Sequence, residues 1–510
     1  MNNSVSKKYL NPDRLLDEVQ ALKQEGKKIV QSHGVFDLIH PGIILHLKSA
    51  KQQGDVLIVT VIRDKDIRRG PGRPIFNEEL RVENVMALDL IDYVCLVDDE
   101  TPFECVRRIK PDVFAKGQAY KERDRKIHER IFEEERELYF GKSKIFETDG
   151  FSFSSSQIIN DLLAFYPEGT KEFLKSFAEK HDFDEIAKSL KALKDLKVLV
   201  VGDGIIDEYH YCQPMGKSAK ANLVVNQYLD HEVFAGGAFA IANHVAGICE
   251  EVTLISLLGK EDSREDFIAK NMKPNVKTRF FLRDDAPTIV KKRYVHQYLN
   301  QKLFEINYIN DRFVDNELEN EIIQFLETII PKFDVVLVSD FGHGFISNRI
   351  YNCIESISKV LAINTQTNAA NAGYNLITKY RNPHYVCLDE PEIRLAAQEK
   401  FEDIESIARQ MREKINANYL MVTQGKRGSI GINRDDAINR TPIFSTKVID
   451  TVGAGDAFFA YTAPCFARGL PLDMVSFIGN AVGALAVQIV GNKKSVEKAD
   501  VLAFIHSLLK

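Results

Sequence analysis

Apolar runs of strand length alternate with helix-patterned segments twice along this chain, and a strand-free stretch separates the two series. In the first, KKIVQSHG, DVLIVTVI, DYVCLV and DVFAKG read as strands, while PGIILHLKSAKQQG, FNEELRVENVMALDL and TPFECVRRIK read as helices. That order predicts a parallel sheet with crossover helices. The second series opens at KVLVVGD, residues 197–203, and continues through EEVTLISLLG, DVVLVSD, KVLAIN, YVCLD and NYLMVTQG. The stretch between them has helical spacing and no strand. The expected fold class is therefore α/β in two domains, 1–165 and 197–510, joined by a helical linker at 166–196. A chain of 510 residues is also too long for one ordinary core. Residues 121–138, KERDRKIHERIFEEEREL, are charged almost throughout and read as a solvated helix.

Composition removes several function classes. A net charge of −6 over this length gives no electrostatic case for a nucleic-acid partner. No apolar run reaches the length of a membrane span, and the first residues lack the apolar core of a signal peptide. The seven cysteines are scattered and form no CxxC pair. Free thiols in a reducing cytoplasm are the simplest account, and structural zinc is not expected.

Two stretches carry chemistry. The first, HGVFDLIHPG at 33–42, turns from a strand into a helix. Unpaired amides at a helix start favour phosphate. Gly34, Phe36, Asp37, His40 and Gly42 are its candidate nucleotide and phosphate contacts, with His40 a candidate catalytic donor. Arg68, Arg69, Arg73 and Arg81 supply cations downstream, and Lys116 lies at the end of the strand DVFAKG, where a ligand contact is expected. Ser154 and Ser155, in FSSSQII, stand before a helical run and read as a cap or an anion site.

The second stretch is DTVGAGDAFFA, residues 450–460. Its glycines let backbone amides gather into a nest for a transferring phosphate, with Asp456 placed to take a proton from a hydroxyl. GDGIID and AGGAFA lie upstream. Asp207 reads as a functional acid over a plain turn aspartate, whereas His343 reads as a satisfied loop histidine rather than a catalytic one.

The run GVFDLIHPG, RRGPGRP, KPDVFAKG and FSSS resembles the cytidylyltransferase family of nucleotidyltransferases, over about residues 27–160. From about Lys197 onward the motifs resemble the ribokinase (PfkB) family of carbohydrate kinases. Together they look like bifunctional ADP-heptose synthases with the two halves in reversed order. The resemblance implies an N-terminal Rossmann-like nucleotidyltransferase fold and a C-terminal ribokinase-like fold. It implies Asp456 as catalytic base and Gly453, Ala454 and Gly455 as anion hole. It implies Asp207, Gly236 and Gly237 at the sugar, Thr423, Gly425 and Gly428 at the nucleotide, and Asn480 near the base. Glu392 matches the acid that helps place Mg²⁺. ATP, with CTP or ATP for nucleotidyl transfer, and a sugar or sugar phosphate are the implied substrates, and a homodimer is the expected assembly.

The sequence departs from these families at several points. The cytidylyltransferase signature HxGH keeps His40 and Gly42 but carries Ile43 for its second histidine, and Gly117-Gln118-Ala119-Tyr120 replaces a GGDY-like run. Ala240, His343, Asn364 and Asp389 replace an asparagine, a lysine, an aspartate and an asparagine common in the kinase relatives, and GKSAKANLVV differs from their lid segment. His46, one helical turn beyond Ile43, is expected to face elsewhere. Two function readings follow. One is a sugar kinase joined to a nucleotidyltransferase that makes a nucleotide-activated, heptose-like sugar. The other is a sugar kinase whose N-terminal domain only binds nucleotide or dimerises.

Overall fold

The strand Val56–Ile62 is buried at all of its positions, as is Val335–Asp340. Strands buried on both faces need helices on both sides, which is the parallel α/β solution. The computed structural model describes residues 8–67, 73–98, 103–117, 143–148, 169–298 and 301–509. Arg68, Arg69, Ser154, Ser155, the run Gln118–Tyr120 and the charged stretch 121–138 lie outside them. The chain divides into two compact units, Met1–Tyr166 with Leu502–Lys510, and Pro167–Val501. Among the described residues, no helix is long and apolar enough to cross a membrane.

The first unit holds β1 (Ile29–Gly34), β2 (Val56–Ile62), β3 (Tyr93–Val97), β4 (Val113–Gly117) and β5 (Lys144–Thr148) in the order β3-β2-β1-β4-β5, every pair parallel. Val30, Leu57, Val59 and Val94 form one apolar layer with Leu47 and Val85 from the helices Pro41–Lys51 and Glu78–Met86. Ile29, Ile58 and Cys95 form a second with Leu15 and Val106 from Pro12–Gln24 and Phe103–Ile109. Asn11 and Asn77 cap two of these helices by accepting the Arg14 and Leu80 amides. The strand order brings the end of β1 to the middle of the sheet.

In the second unit, β6 (Lys197–Gly202), β9 (Glu251–Gly259), β10 (Val276–Arg283), β13 (Val335–Asp340), β14 (Leu361–Thr365), β15 (Tyr385–Asp389), β16 (Tyr419–Thr423), β17 (Ser429–Asn433) and β18 (Ile438–Thr441) form a nine-stranded sheet. The order is β10-β9-β6-β13-β14-β15-β16-β17-β18, parallel up to β16 and antiparallel beyond. A separate four-stranded sheet runs β12-β11-β7-β8, from β7 (Gly204–Lys217), β8 (Val224–Gly237), β11 (Val290–His296) and β12 (Gln301–Tyr308). Within 166–196 the described residues are helical as expected, with helices Thr170–Lys180 and Phe183–Lys191. They are packed into the second unit and do not stand apart as a linker. Phe177 stacks on Phe477 at 4.0 Å, and His181 Nε2 lies 3.0 Å from Asp473 Oδ2. All seven cysteines are free.

Candidate active sites

In the first unit the chain leaves β1 through Val35 and Phe36. Phe36 has φ +51°, a left-handed conformation costly for a bulky residue and held only when its surroundings fix it. Two side chains do the fixing. Both Asp37 carboxylate oxygens accept the Ile75 amide at 2.9 Å, and Oδ1 also accepts the Phe76 amide at 3.0 Å. Arg81 is fully buried. It donates from Nε to Phe76 O, from Nη1 to Val35 O, and from Nη2 to Ile62 O and Asp64 Oδ1. This corrects the expectation for Arg81: its guanidinium is spent on backbone and Asp64, so it holds the loop and offers a phosphate nothing. Asp37 is likewise a loop clamp.

His40 caps the helix Pro41–Lys51, its Nδ1 accepting the Gly42 amide at 3.2 Å. Burial lowers the imidazole below its usual range, so it is neutral at pH 7. A neutral ring with Nδ1 accepting must carry its proton on Nε2, which makes Nε2 a donor. Ile43 packs against the apolar layer that contains Phe36 and Leu47. His46 does face elsewhere: its Nε2 lies 2.8 Å from Ser32 Oγ on β1, and burial lowers it to about 4. Lys116 is buried near the end of β4, and Gly34 closes β1 against the Phe36 ring.

The second unit gathers more of its predicted residues. Gly453, at φ +81°, starts the helix Ala454–Ala467, and Asp456 lies buried in its first turn. Burial raises the Asp456 carboxyl to about 7. A hydrogen bond from Gln366 Nε2 to Oδ1 at 2.5 Å opposes that rise, Asp207 adds to it, and Lys291 opposes it. Asp207, on β7, pairs with Arg293 Nη1 from β11 and accepts from Asn492 Nδ2 at 3.5 Å. Both glycine positions are sterically required. A Cβ on Gly236 would sit 2.1 Å from Asp207 Oδ2, and one on Gly453 2.2 Å from Asn492 Oδ1. Gly237, φ +55°, turns β8 into the helix Ala238–Val245. Asp456, Asp207 and Gly453 thus lie close together, with Asn492 between Asp207 and Gly453.

Glu392 closes a capping box on the helix Glu390–Ala397: its Oε2 accepts the Asp389 amide at 3.0 Å, and Asp389 Oδ1 accepts the Glu392 amide at 2.8 Å. Its Oε1 accepts the Thr367 amide. Burial, with Asp389 and Asp456 nearby, raises Glu392 to about 8. Such a surplus of acidic oxygen suits a hard cation. Among the described residues no three His, Cys, Asp or Glu side chains converge on one metal position. Thr423 ends β16 with its hydroxyl on Leu388 O at 3.4 Å, and Gly425 and Gly428 both take positive φ in the following turn. Asn480 is buried, and its amide donates to Ser429 Oγ at 2.6 Å and Ser476 O at 2.8 Å. The bond to Ser429 ties its helix to β17. His343 is buried, with Nδ1 2.8 Å from Asp311 Oδ1.

Sequence reading missed Gln366, Lys291, Arg293, Asn492 and Asp450. The first four reach the site from distant strands and loops. Asp450, by contrast, opens the nest motif itself. It accepts Lys302 Nζ at 2.8 Å, Tyr209 OH at 2.9 Å and the Gly491 amide at 3.0 Å. It thereby fastens the nest to the four-stranded sheet.

A phosphate nest, a buried acid and a two-sheet α/β frame define the second unit as a carbohydrate-kinase fold. Residues 195–499, more than half of the chain, match the model of the pfkB family carbohydrate kinases, and the chain belongs to that family. Residues 32–161 match the Cytidylyltransferase-like model. The chain is 38% identical over 117 residues to "Bifunctional protein HldE" of Methylobacillus flagellatus, covering 22% of this chain and 24% of that one. It is 24% identical over 314 residues to the protein of the same name from Bradyrhizobium diazoefficiens, covering 61% and 62%. The matched stretch spans about a quarter of the length of the first curated relatives. A solved structure of Arabidopsis thaliana ribokinase complexed with ribose and ATP covers 62% of this chain and 99% of that one, at 16% identity and a TM-score of 0.48.

Proposed function

We propose that the second unit phosphorylates a sugar with ATP and that the first joins a sugar phosphate to a nucleotide from CTP or ATP, giving a nucleotide-activated, heptose-like sugar. The observation that carries the kinase reading is Asp456, buried beside the Gly453–Gly455 nest and within reach of Asp207. As carboxylate it takes the proton of the attacking hydroxyl. The hydroxyl oxygen bonds to the γ-phosphorus, the bridging P–O bond to the β-phosphate breaks, and ADP leaves. Amides at the helix start stabilise the charge developing on the transferring group. Asp207, held by Arg293, orients sugar hydroxyls. Glu392 is the residue suited to hold Mg²⁺, which when bound neutralises phosphate charge.

In the first unit, His40 presents Nε2–H toward an α-phosphate. A sugar-phosphate oxygen attacks that phosphorus and pyrophosphate leaves. Ile43 favours a second reading, in which this unit binds nucleotide without turning it over, because its side chain serves the apolar layer. A homodimer is part of the proposal, on the family likeness alone.

The test is a mass-spectrometric assay of the purified protein with Mg²⁺, ATP, CTP and a panel of sugars and sugar phosphates, beside Asp456→Asn. A sugar phosphate together with a nucleotide sugar supports the two-site reading. A sugar phosphate alone supports the second. No phosphate transfer to any sugar by wild type, or equal transfer by Asp456→Asn, refutes the kinase assignment.

A further inference from the structure

Two histidines face each other across the four-stranded sheet. His210 on β7 and His231 on β8 are directly paired in the antiparallel ladder, next to the point where its register slips between Tyr211 and Cys212. Their rings stack with centroids 5.3 Å apart and planes 14° from parallel. Side chains alternate along a strand. Asp207 and Tyr209 turn to Arg293 and Asp450 on one face of β7, so Glu208 and His210 belong to the other. Each ring has one nitrogen fixed by a partner. His210 Nε2 lies 2.9 Å from Glu208 Oε2, and that buried carboxylate is itself held by Lys292 Nζ at 3.1 Å. An ionised carboxylate only accepts, so Nε2 carries the proton and Nδ1 keeps its lone pair. His231 Nδ1 lies 2.6 Å from the Tyr228 hydroxyl oxygen. With that oxygen accepting, the lone pair of His231 Nε2 is available as well.

We infer that His210 and His231 form a bidentate site for one divalent transition-metal ion, with water completing its shell, on the sheet face turned away from Arg293 and Asp450. Paired imidazoles suit ions of the Zn²⁺ and Cu²⁺ class, whereas Mg²⁺ takes oxygen ligands. A ligating histidine is ordinarily oriented through its second nitrogen by a polar partner, and Glu208 and Tyr228 stand in that position. Metal–nitrogen bonds of about 2.0–2.1 Å let one ion bridge nitrogens up to about 4 Å apart. His231 is exposed, so its ring can turn on its χ angles to reach that separation. Two protein ligands are fewer than a structural zinc site carries, which makes the ion exchangeable. An ion held here ties β7 to β8 beside the slip in their register.

The experiment is calorimetric titration of the full chain with Zn²⁺, in saturating Mg²⁺ so that oxygen-lined positions are filled. Binding is read without turnover, so a chain that phosphorylates no sugar leaves the test intact. Wild type should bind Zn²⁺, and His231→Asn and His210→Asn should each weaken binding by about ten-fold or more. His231 is exposed, so the sheet survives its replacement. The competing position is His181, which lies 3.2 Å from Glu185 and 3.0 Å from Asp473. His181→Asn should leave the affinity unchanged. Absence of binding by wild type overturns the site, as does unchanged affinity in His231→Asn. Affinity lost in His181→Asn but kept in His231→Asn assigns the ion to that other histidine and also overturns it.

Discussion

Asp456→Asn should abolish phosphoryl transfer and, at alkaline pH, stabilise the protein. The two side chains have the same shape, and the amide oxygen of the substituted side chain can still accept from Gln366. The wild-type carboxyl is raised from 3.8 to about 7 by burial. Between those values the unfolded chain has lost the proton while the native state keeps it. Stability therefore falls as pH rises, by about 1.4 kcal/mol per unit. Below about pH 4 the group costs nothing. By about pH 8 the full penalty, on the order of 4 kcal/mol as an upper bound, is in place. The asparagine carries no such penalty. Denaturant unfolding of the second unit, followed from about pH 5 to about pH 8.5, should show the mutant's advantage growing from about 1.5 kcal/mol to about 4. A difference that stays flat across this range means that the native carboxyl is not raised. Asp456 would then be ionised throughout, and the argument that burial poises it near neutrality would be wrong.

Gly236→Ala should lower kcat/KM for the accepted sugar by roughly a hundred-fold, since its Cβ would displace the Asp207 carboxylate from Arg293; steady-state kinetics with near wild-type activity would mean that Asp207 does not meet the sugar. Arg81→Met should cost the first unit about 3–5 kcal/mol, because Asp64 and three carbonyls lose their buried donor. Denaturant unfolding reads that loss, and a stable variant with weakened nucleotide binding would restore Arg81 as a ligand. His40→Ala should reduce nucleotidyl transfer by about a hundred-fold or more, and Ile43→His should raise it by a comparable factor if the missing donor is the defect. Pyrophosphate release measures both, and a rate indifferent to His40 would locate the chemistry elsewhere.

In the two larger sheets β1–β4, β6, β9 and β13–β16 were legible because buried parallel strands leave apolar runs such as VLIVTVI and VVLVSD, whereas β5, β10, β17 and β18 were not. The four-stranded sheet was not. Every position of β12 is exposed, and half of β7 and most of β8 are not buried, so no apolar run announces them. The supposed linker misled for a related reason. Its helical period was plain, but the partner that buries Phe177 is Phe477, far along the chain. Motifs pointed to the Gly453–Gly455 turn, Asp456 and Asp207 because those stretches are built on local backbone geometry. Gln366 and Arg293 escaped because nothing in their own neighbourhood marks them. Their meaning arises only where β11 and the loop after β14 converge on two buried acids. Arg81 erred the other way: an arginine near a phosphate loop looks like a ligand until its carbonyl partners are seen.

The same convergence bears on how the two candidate sites differ. In the second unit the polar residues are left in tension. Asp456 and Glu392 are held above their ordinary values by burial, and Asp203 Oδ1 and His343 Nε2 are buried without a hydrogen-bond partner. Such groups are costly in the free protein and gain by meeting protons, cations or hydroxyls, as a site awaiting a substrate requires. In the first unit Asp37, Arg81 and His46 are satisfied by the protein itself, and Ile43 is content in the apolar layer. Among the described residues, His40 Nε2 and the helix amides stand at that loop, and His33 Nε2 and Gln31 Oε1 nearby on β1 are also buried without a hydrogen-bond partner. The exchange of Ile43 for histidine is the informative change there: it adds one donor to a loop whose shape Asp37 and Arg81 already maintain.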